Sequence, residues 1–133
     1  MSPPLPPAAG QNADAASVRL AVLRRRADFV RAAKAWRQST PGFFLQARKR
    51  ADQEPDNHMR IGYTCSKKVG NAVARNRAKR RLREVARKIL PDSGLVGWDY
   101  VLVGRATATA QRPFAKLCMD LQNALAKIHQ AGS

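Results

Sequence analysis

The residues whose type and spacing suggest chemistry are basic ones, concentrated between positions 67 and 83. Arginine forks bind phosphate oxygens in bidentate fashion, and an amide side chain between two arginines adds a directional hydrogen bond that a charge alone does not supply. Such a triplet stands at Arg75, Asn76 and Arg77. In the helix-like segment that contains it, Glu84 is the one acid. This pattern predicts a surface that binds a polyanion.

The sequence contains no set of side chains typical of catalysis. There is no combination of serine, histidine and acid, no glycine loop for phosphate and no pair of carboxylates in a motif. Cys65 and Cys118 are expected to be small buried hydrophobes. His58 and His129 are expected to be solvated, and they do not add up to a set of metal ligands. We also expect the acids of the loop around Pro55 to be hydrated, so the protein alone is expected to hold no metal ion or cofactor.

A helix predicted over residues 71–90 carries most of the basic side chains. At about 100° per residue, its apolar residues form one stripe: Ala74, Ala78, Leu82, Val85 and Ile89. The rest of the surface is basic, although like charges at i,i+4 cost an isolated helix about 0.2 to 0.5 kcal/mol per pair. A solvated helix face is the alternative interpretation, but such a face usually mixes both signs of charge. Asn71 is the expected N-cap, and Pro91 is expected to end the helix.

The composition also favours a polyanionic partner. The chain of 133 residues has 25 Lys and Arg against 9 Asp and Glu, a net charge of +16. Nucleic acid is the natural partner, because neutralising phosphates releases counterions; an anionic membrane surface is the competing one. No apolar run approaches the roughly 18 residues of a membrane span, and no signal-peptide pattern is visible. We therefore expect a cytoplasmic protein without a membrane segment.

The chain divides into a tail and one domain. Residues 1–18 are rich in Pro and Ala and predict a disordered tail, and residues 19–130 form the domain. A first helix is expected between positions 18 and 35, strongest from about Arg24. Its apolar face would hold Leu20, Leu23, Ala27 and Val30, with Phe29 beside them.

Three later segments predict strands. Residues 43–50 alternate, with Phe43, Leu45 and Ala47 on the buried side. Residues 59–66 also alternate, and the small residues of their second face, such as Gly62, suit either an extended ligand or a neighbouring helix. Residues 98–104 read as a buried strand. A last amphipathic helix begins near Pro113. This order indicates an α+β fold: a mixed sheet with helices packed mainly on one face.

The basic segment contains a specific combination of motifs. Residues 66–73 read SKKVGNAV, residues 75–77 read RNR and residues 79–84 read KRRLRE. This turn, motif and helix closely resemble the signature of the protein subunit of bacterial ribonuclease P. The resemblance extends over roughly residues 23–128, including Asp28-Phe29, the FFLQARKR strand and Asp99-Tyr100.

The resemblance implies a fold and a function. The fold would be a single αβββαβα domain with a left-handed βαβ crossover. Family members join a large catalytic RNA to remove the 5′ leader of precursor tRNA, and the RNA performs the chemistry, for which Mg2+ is expected. The implied partners are the catalytic ribonuclease P RNA and the leader of precursor tRNA, with no obligate protein partner.

The resemblance also implies two sets of site residues. The RNA-facing set is Lys67, Lys68, Arg75, Asn76, Arg77, Lys79, Arg80 and Arg83. The leader would lie in a cleft between the first helix and the sheet, at Phe29, Phe44 and Gln46. Lys34 and Arg48 join this cleft because of their charge and, for Arg48, the strand alternation. Aromatic rings offer bases a stacking platform, but core packing is the alternative role for Phe29 and Phe44.

Charge alone is compatible with two other functions. One is a ribosomal or general structural RNA-binding protein without a role in cleavage. The other is a DNA-binding module whose basic helix enters the major groove.

Overall fold

The structure is a computed structural model that describes residues 19–50 and 58–132. The predicted tail and nearly all of the predicted loop around Pro55 lie outside the described residues. The strands are β1 (Arg19–Val22), β2 (Trp36–Ser39), β3 (Phe43–Lys49), β4 (His58–Cys65) and β5 (Trp98–Gly104). The helices are α1 (Arg26–Lys34), α2 (Ala72–Ser93), α3 (Ala108–Gln111) and α4 (Phe114–Gly132), with a 3-10 turn at Lys67–Val69.

The five strands form one mixed sheet in the order β1-β4-β5-β3-β2. Parallel pairs join β1 to β4 and β4 to β5, while β3 is antiparallel to both β5 and β2. Helix α2 connects the parallel neighbours β4 and β5, which is the expected βαβ crossover; its left hand stays a prediction. The α+β class predicted from the sequence is confirmed.

The main core lies between one face of the sheet and the helices α2 and α4. Phe43, Leu45 and Ala47 point into it from β3, as the alternation predicted. The stripes of the two helices face them from the other side: Leu82, Val85 and Ile89 from α2, and Leu117, Leu121, Leu125 and Ile128 from α4. Burying several such side chains, each worth about 1.5 to 3 kcal/mol, fixes α2 against the sheet and leaves its basic surface outside.

Helix α1 covers part of the opposite face. A smaller core of Leu23, Ala32 and Val101 lies there, with Phe29 and Val103 packed against it. Two long helices on one face and one short helix on the other agree with the prediction that the helices pack mainly on one side.

The N-terminal part of the domain corrects the predicted helix over residues 18–35. Residues 19–22 form strand β1, in which Leu20 lies opposite Met59 of β4, and α1 begins only at Arg26. The predicted apolar face of α1 is also wrong. Val30 is 40% exposed, whereas Asp28 is 6% exposed because it forms ion pairs with Arg31 and Arg60.

Three smaller predictions need adjustment. Helix α2 continues past Pro91 to Ser93, although the proline has no N–H to donate to the oxygen of Arg87. The end of the helix is still closed by the backbone N–H of Gly94, which donates to the oxygen of Leu90 at 2.8 Å. His129 is half-buried rather than fully solvated: its Nε2 lies 2.8 Å from the hydroxyl of Tyr100, and its ring meets Trp98 edge-on. Cys65 is half-buried, whereas Cys118 is buried as expected; both are free thiols.

Candidate nucleic-acid interface

A rigid turn presents the first two basic residues of the predicted RNA-facing set. The hydroxyl of Ser66 accepts a hydrogen bond from the backbone N–H of Lys68 at 3.2 Å, which starts the 3-10 turn. Gly70 ends it with φ 140°, a conformation that L side chains rarely adopt. Asn71 then caps α2, its Oδ1 accepting from the backbone N–H of Ala74 at 2.9 Å. Lys67 and Lys68 are therefore exposed directly before the helix that carries the others.

The outward surface of α2 brings the rest of the RNA-facing set together. Asn76, Arg77, Arg80 and Arg83 are exposed, and Arg75 and Lys79 are half-buried. Burial raises the pKa of the Cys65 thiol while Lys79 and Arg75 act in the opposite direction, so both cations lie near the end of β4. No member of the set forms a salt bridge with any described residue. Their hydrogen-bond donors are thus available to phosphate oxygens.

Two basic residues of α2 that lie outside this set, Arg81 and Arg87, have partners within the protein. Arg87 forms an exposed ion pair with Glu84 at 3.5 Å. Arg81 donates from Nη1 to the backbone oxygens of Thr109 and Ala110, at 2.9 and 2.7 Å. Arg83, which is in the set, also has its guanidinium carbon 5.5 Å from the ring centre of Tyr63. In helix α2, Arg81 thus has a structural role, whereas Arg80 and Arg83 face outward.

The predicted cleft residues lie on the face of the sheet that α1 covers in part. Phe44, Gln46 and Arg48 are half-buried there, opposite Val103, Val101 and Asp99 of β5. Lys34 is exposed at the last position of α1. The structure therefore gathers the three residues of β3 into one row and brings α1 over the same face.

Phe29 packs against the small face of β4. A Cβ added to Gly62 would lie 2.5 Å from Cε1 and 2.7 Å from Cζ of Phe29. The sequence left two roles open for this small face, contact with an extended ligand or with a neighbouring helix. In the structure the face accommodates a side chain of the neighbouring helix α1. Phe29 nevertheless stays partly exposed at the border of the smaller core.

Arg48 is part of a charged cluster. Asp99, 0% exposed, accepts hydrogen bonds from three arginines. They come from Arg48 Nη1 at 3.2 Å, from Arg50 Nη1 at 2.6 Å, and from Arg60 Nε and Nη2, both at 2.7 Å. Arg50 is itself buried, whereas Arg48 and Arg60 keep about a quarter of their side-chain surface exposed. Arg48 therefore lies on the cleft face with its guanidinium already paired with Asp99.

Sequence reasoning missed Arg105, which the structure places at the same surface. Its guanidinium carbon lies 4.0 Å above the ring centre of Phe44, and its Nη2 donates to the hydroxyl of Ser39. It lines a cavity of about 370 Å³ together with Phe44, Ser66 and Lys68. Its Nε is buried without a hydrogen-bond partner among the described residues. A signal existed in the sequence, because Arg105 directly follows a buried strand, and ligand sites often lie at the carboxyl ends of parallel strands.

Comparisons with known proteins agree with this geometry. The family model described as Ribonuclease P matches residues 18–129. A ribonuclease P protein component from Ruegeria pomeroyi is 60% identical over 114 residues, covering 86% of this chain and 90% of that protein. This chain belongs to the bacterial ribonuclease P protein family. A second relative in the family, from Paramagnetospirillum magneticum, is 44% identical over 115 residues, 84% of this chain and 85% of that protein.

Solved ribonuclease P proteins share the fold. The protein from Staphylococcus aureus superposes with a TM-score of 0.61 at 28% identity, over 80% of this chain and 93% of that one. The protein from Thermotoga maritima gives 0.62 at 27% identity, over 80% and 96%. The family's role is that of the protein subunit of ribonuclease P, an RNA-binding component of an endoribonuclease complex in tRNA processing. None of the described helices is long and apolar enough to span a membrane.

Proposed function

We propose that this subunit binds the catalytic RNA of ribonuclease P through α2 and the turn before it, and the 5′ leader of precursor tRNA through the face beneath α1. The RNA then carries out the cleavage with Mg2+. The observation that carries the proposal is the RNA-facing row of cations on α2, which has no carboxylate partner among the described residues, since a folded domain gains nothing in stability from such a row.

Electrostatics explains why such a protein helps an RNA enzyme. Catalytic RNA and precursor tRNA are both polyanions, and they repel each other when they meet. Cations on a rigid helix neutralise phosphates of one RNA, and the release of counterions supplies the binding free energy. A second basic surface on the same small domain then holds the leader of the other. We place the assembly in the cytoplasm, without an obligate protein partner.

Several features support the cleft as the leader site. Phe44 and Arg105 form a stacked pair beside a cavity, and planar side chains of this kind bind bases without strong sequence preference. Lys68 lines the same cavity, so the cavity adjoins the cations that precede α2. The leader surface and the surface for the catalytic RNA are therefore continuous, which suits a substrate that must pass from one to the other.

Reconstitution tests the proposal. Purified protein, the catalytic RNA and precursor tRNA are mixed at low Mg2+, and 5′ cleavage is measured with and without the protein. We expect cleavage to be stimulated by the protein. Absence of stimulation, with RNA binding intact, would instead favour a ribosomal or general RNA-binding role. A preference for duplex DNA over structured RNA in competition would favour the DNA-binding alternative.

The leader site has its own test. Phe44→Ala removes the ring beneath Arg105 and should lower affinity for precursor tRNA by about five- to a hundredfold, since one stacked base is worth about 1 to 3 kcal/mol. Affinity for mature tRNA should stay near that of the parent. Phe29→Ala should act in the same direction. Val30→Ala, an exposed change on α1, is the matched control, and equal losses for both tRNAs would assign the rings to packing.

A further inference from the structure

We propose that Thr109 and Arg81 are positioning residues that hold Arg105 over Phe44, and so set the preference of the protein for precursor over mature tRNA. This inference rests on the proposed function of the cleft. Neither residue lines the cavity beside Phe44. They act on the loop that carries Arg105.

Thr109 ties this loop to the sheet through one hydroxyl. The side chain is fully buried, and its Oγ1 accepts a hydrogen bond from the backbone N–H of Arg105 at 2.8 Å. The same hydroxyl donates to the backbone oxygen of Gly42 at 2.6 Å. Gly42 lies directly before β3, two residues from Phe44. One buried group thus ties the backbone of Arg105 to Gly42, which lies two residues before Phe44.

Arg81 holds the loop from the other side. Its Nη1 donates to the backbone oxygens of Thr109 and Ala110. Those oxygens belong to α3, which has only four residues and little stability of its own. Thr107, just before α3, has φ 67°, which is costly for a β-branched residue and persists only when its surroundings enforce it. The two anchors supply that enforcement.

The consequence for Arg105 is preorganisation. A free arginine side chain loses considerable rotamer freedom when it binds a ligand. Here the backbone is pinned at Arg105, the guanidinium stacks on Phe44, and Nη2 is held by Ser39. When the backbone anchor is removed, Arg105 samples other positions and the leader must bear the cost of ordering it. Mature tRNA has no leader and is unaffected.

Substitutions at Thr109 provide the first test. In the reconstituted holoenzyme, Thr109→Val keeps the shape but removes the hydroxyl, and should reduce the ratio of precursor to mature affinity by about fivefold, the worth of one net hydrogen bond. Thr109→Ser keeps the hydroxyl and should retain the parent ratio. Affinity for the catalytic RNA should stay unchanged in both. Thermal unfolding confirms that each variant is folded at the assay temperature.

A double-mutant comparison shows whether Thr109 acts through Arg105. Arg105→Ala should lower the ratio by itself, and adding Thr109→Val should then change it little, because the two act as one unit. Additive losses would overturn the inference, and so would an unchanged ratio for Thr109→Val when Arg105→Ala lowers it. If neither Phe44→Ala nor Arg105→Ala alters the ratio, the proposed leader site itself has failed.

Arg81 gives a second test that disturbs no buried group of the sheet. Arg81→Met should lower the precursor ratio by a few-fold while largely sparing affinity for the catalytic RNA. Arg80→Met, the neighbouring exposed change, should do the reverse. If Arg81→Met weakens catalytic RNA binding as much as Arg80→Met and leaves the ratio alone, then Arg81 belongs to the RNA-facing set and the positioning role is wrong.

Discussion

Asp99→Asn should be among the most destabilising single changes in the domain. The carboxylate is 0% exposed and its partner Arg50 is 2% exposed, so neither ion is hydrated. Removing one charge of a buried ion pair costs about 3 to 5 kcal/mol, because a buried arginine then loses a full negative charge at hydrogen-bond distance. Asparagine also turns an NH2 group toward arginine donors. Arg48 and Arg60 are partly hydrated, so their contacts add less.

The expected loss can be measured by urea and thermal unfolding at pH 7. A loss of 3 kcal/mol lowers the Tm of a domain near 100 residues by roughly 12 °C or more. Asp120→Asn is the matched control: that carboxylate is also buried, but its partner Arg112 is 27% exposed and can be rehydrated. We expect the control to lose less than about 2 kcal/mol. Equal losses in the two variants, or a Tm for Asp99→Asn within a few degrees of the parent, would refute this account of the cluster.

Three further predictions concern binding, packing and pH. Arg77→Ala should lower the log-log salt slope for binding the catalytic RNA by about 0.9, the value for one phosphate contact. Arg87→Ala should lower this slope less, because the charge of Arg87 is paired with Glu84. An unchanged slope for Arg77→Ala would exclude a phosphate contact at Arg77. Gly62→Ala should cost about 1 to 3 kcal/mol through overpacking against Phe29, and Phe29→Ala should relieve much of that cost in the double variant; simple additivity in urea unfolding would contradict it. Burial lowers the pKa of His129 below its ordinary 6.5, so the unfolded chain takes up this proton at a higher pH than the folded protein, and the free energy of unfolding should fall as pH drops from about 6.5 toward 5. The His129→Gln variant should lose less stability across this pH range than the parent. Parallel stability profiles of the two proteins would show that His129 does not contribute.

Much of the fold could be predicted because local patterns decide it. Strand β3 and helices α2 and α4 each bury one side, so their apolar residues recur with the period of a strand or of a helix. This periodicity is visible in the sequence and is enough to predict the buried side of each element. Strand β1 could not be found in this way. Its four residues read equally well as the start of a helix, and its partner β4 lies far along the chain. The inward face of α1 was missed because Asp28 is buried by ion pairs, which a count of apolar residues does not include.

For a related reason, only part of the candidate site could be predicted from the sequence. A row of cations interrupted by a single acid, Glu84, is a property of composition and helical period, so the surface of α2 could be inferred from sequence. Arg105 has no such local pattern. Its role depends on Phe44 and Ser39, which only the pairing of β3 with β5 brings near. The ion pair of Arg48 with Asp99 depends on the same pairing, and the prediction of Arg48 from charge alone did not include it.

The strand order has a consequence for how the protein is made. Strand β5 lies between β3 and β4, although it is synthesised after both. Until residue 104 has left the ribosome, β3 and β4 each keep an unpaired edge, and such edges favour aggregation. The nascent chain is also strongly cationic and emerges beside ribosomal RNA. This subunit therefore completes its sheet only once β5 has emerged, and chaperone capture of the growing chain should be strongest just before β5 appears.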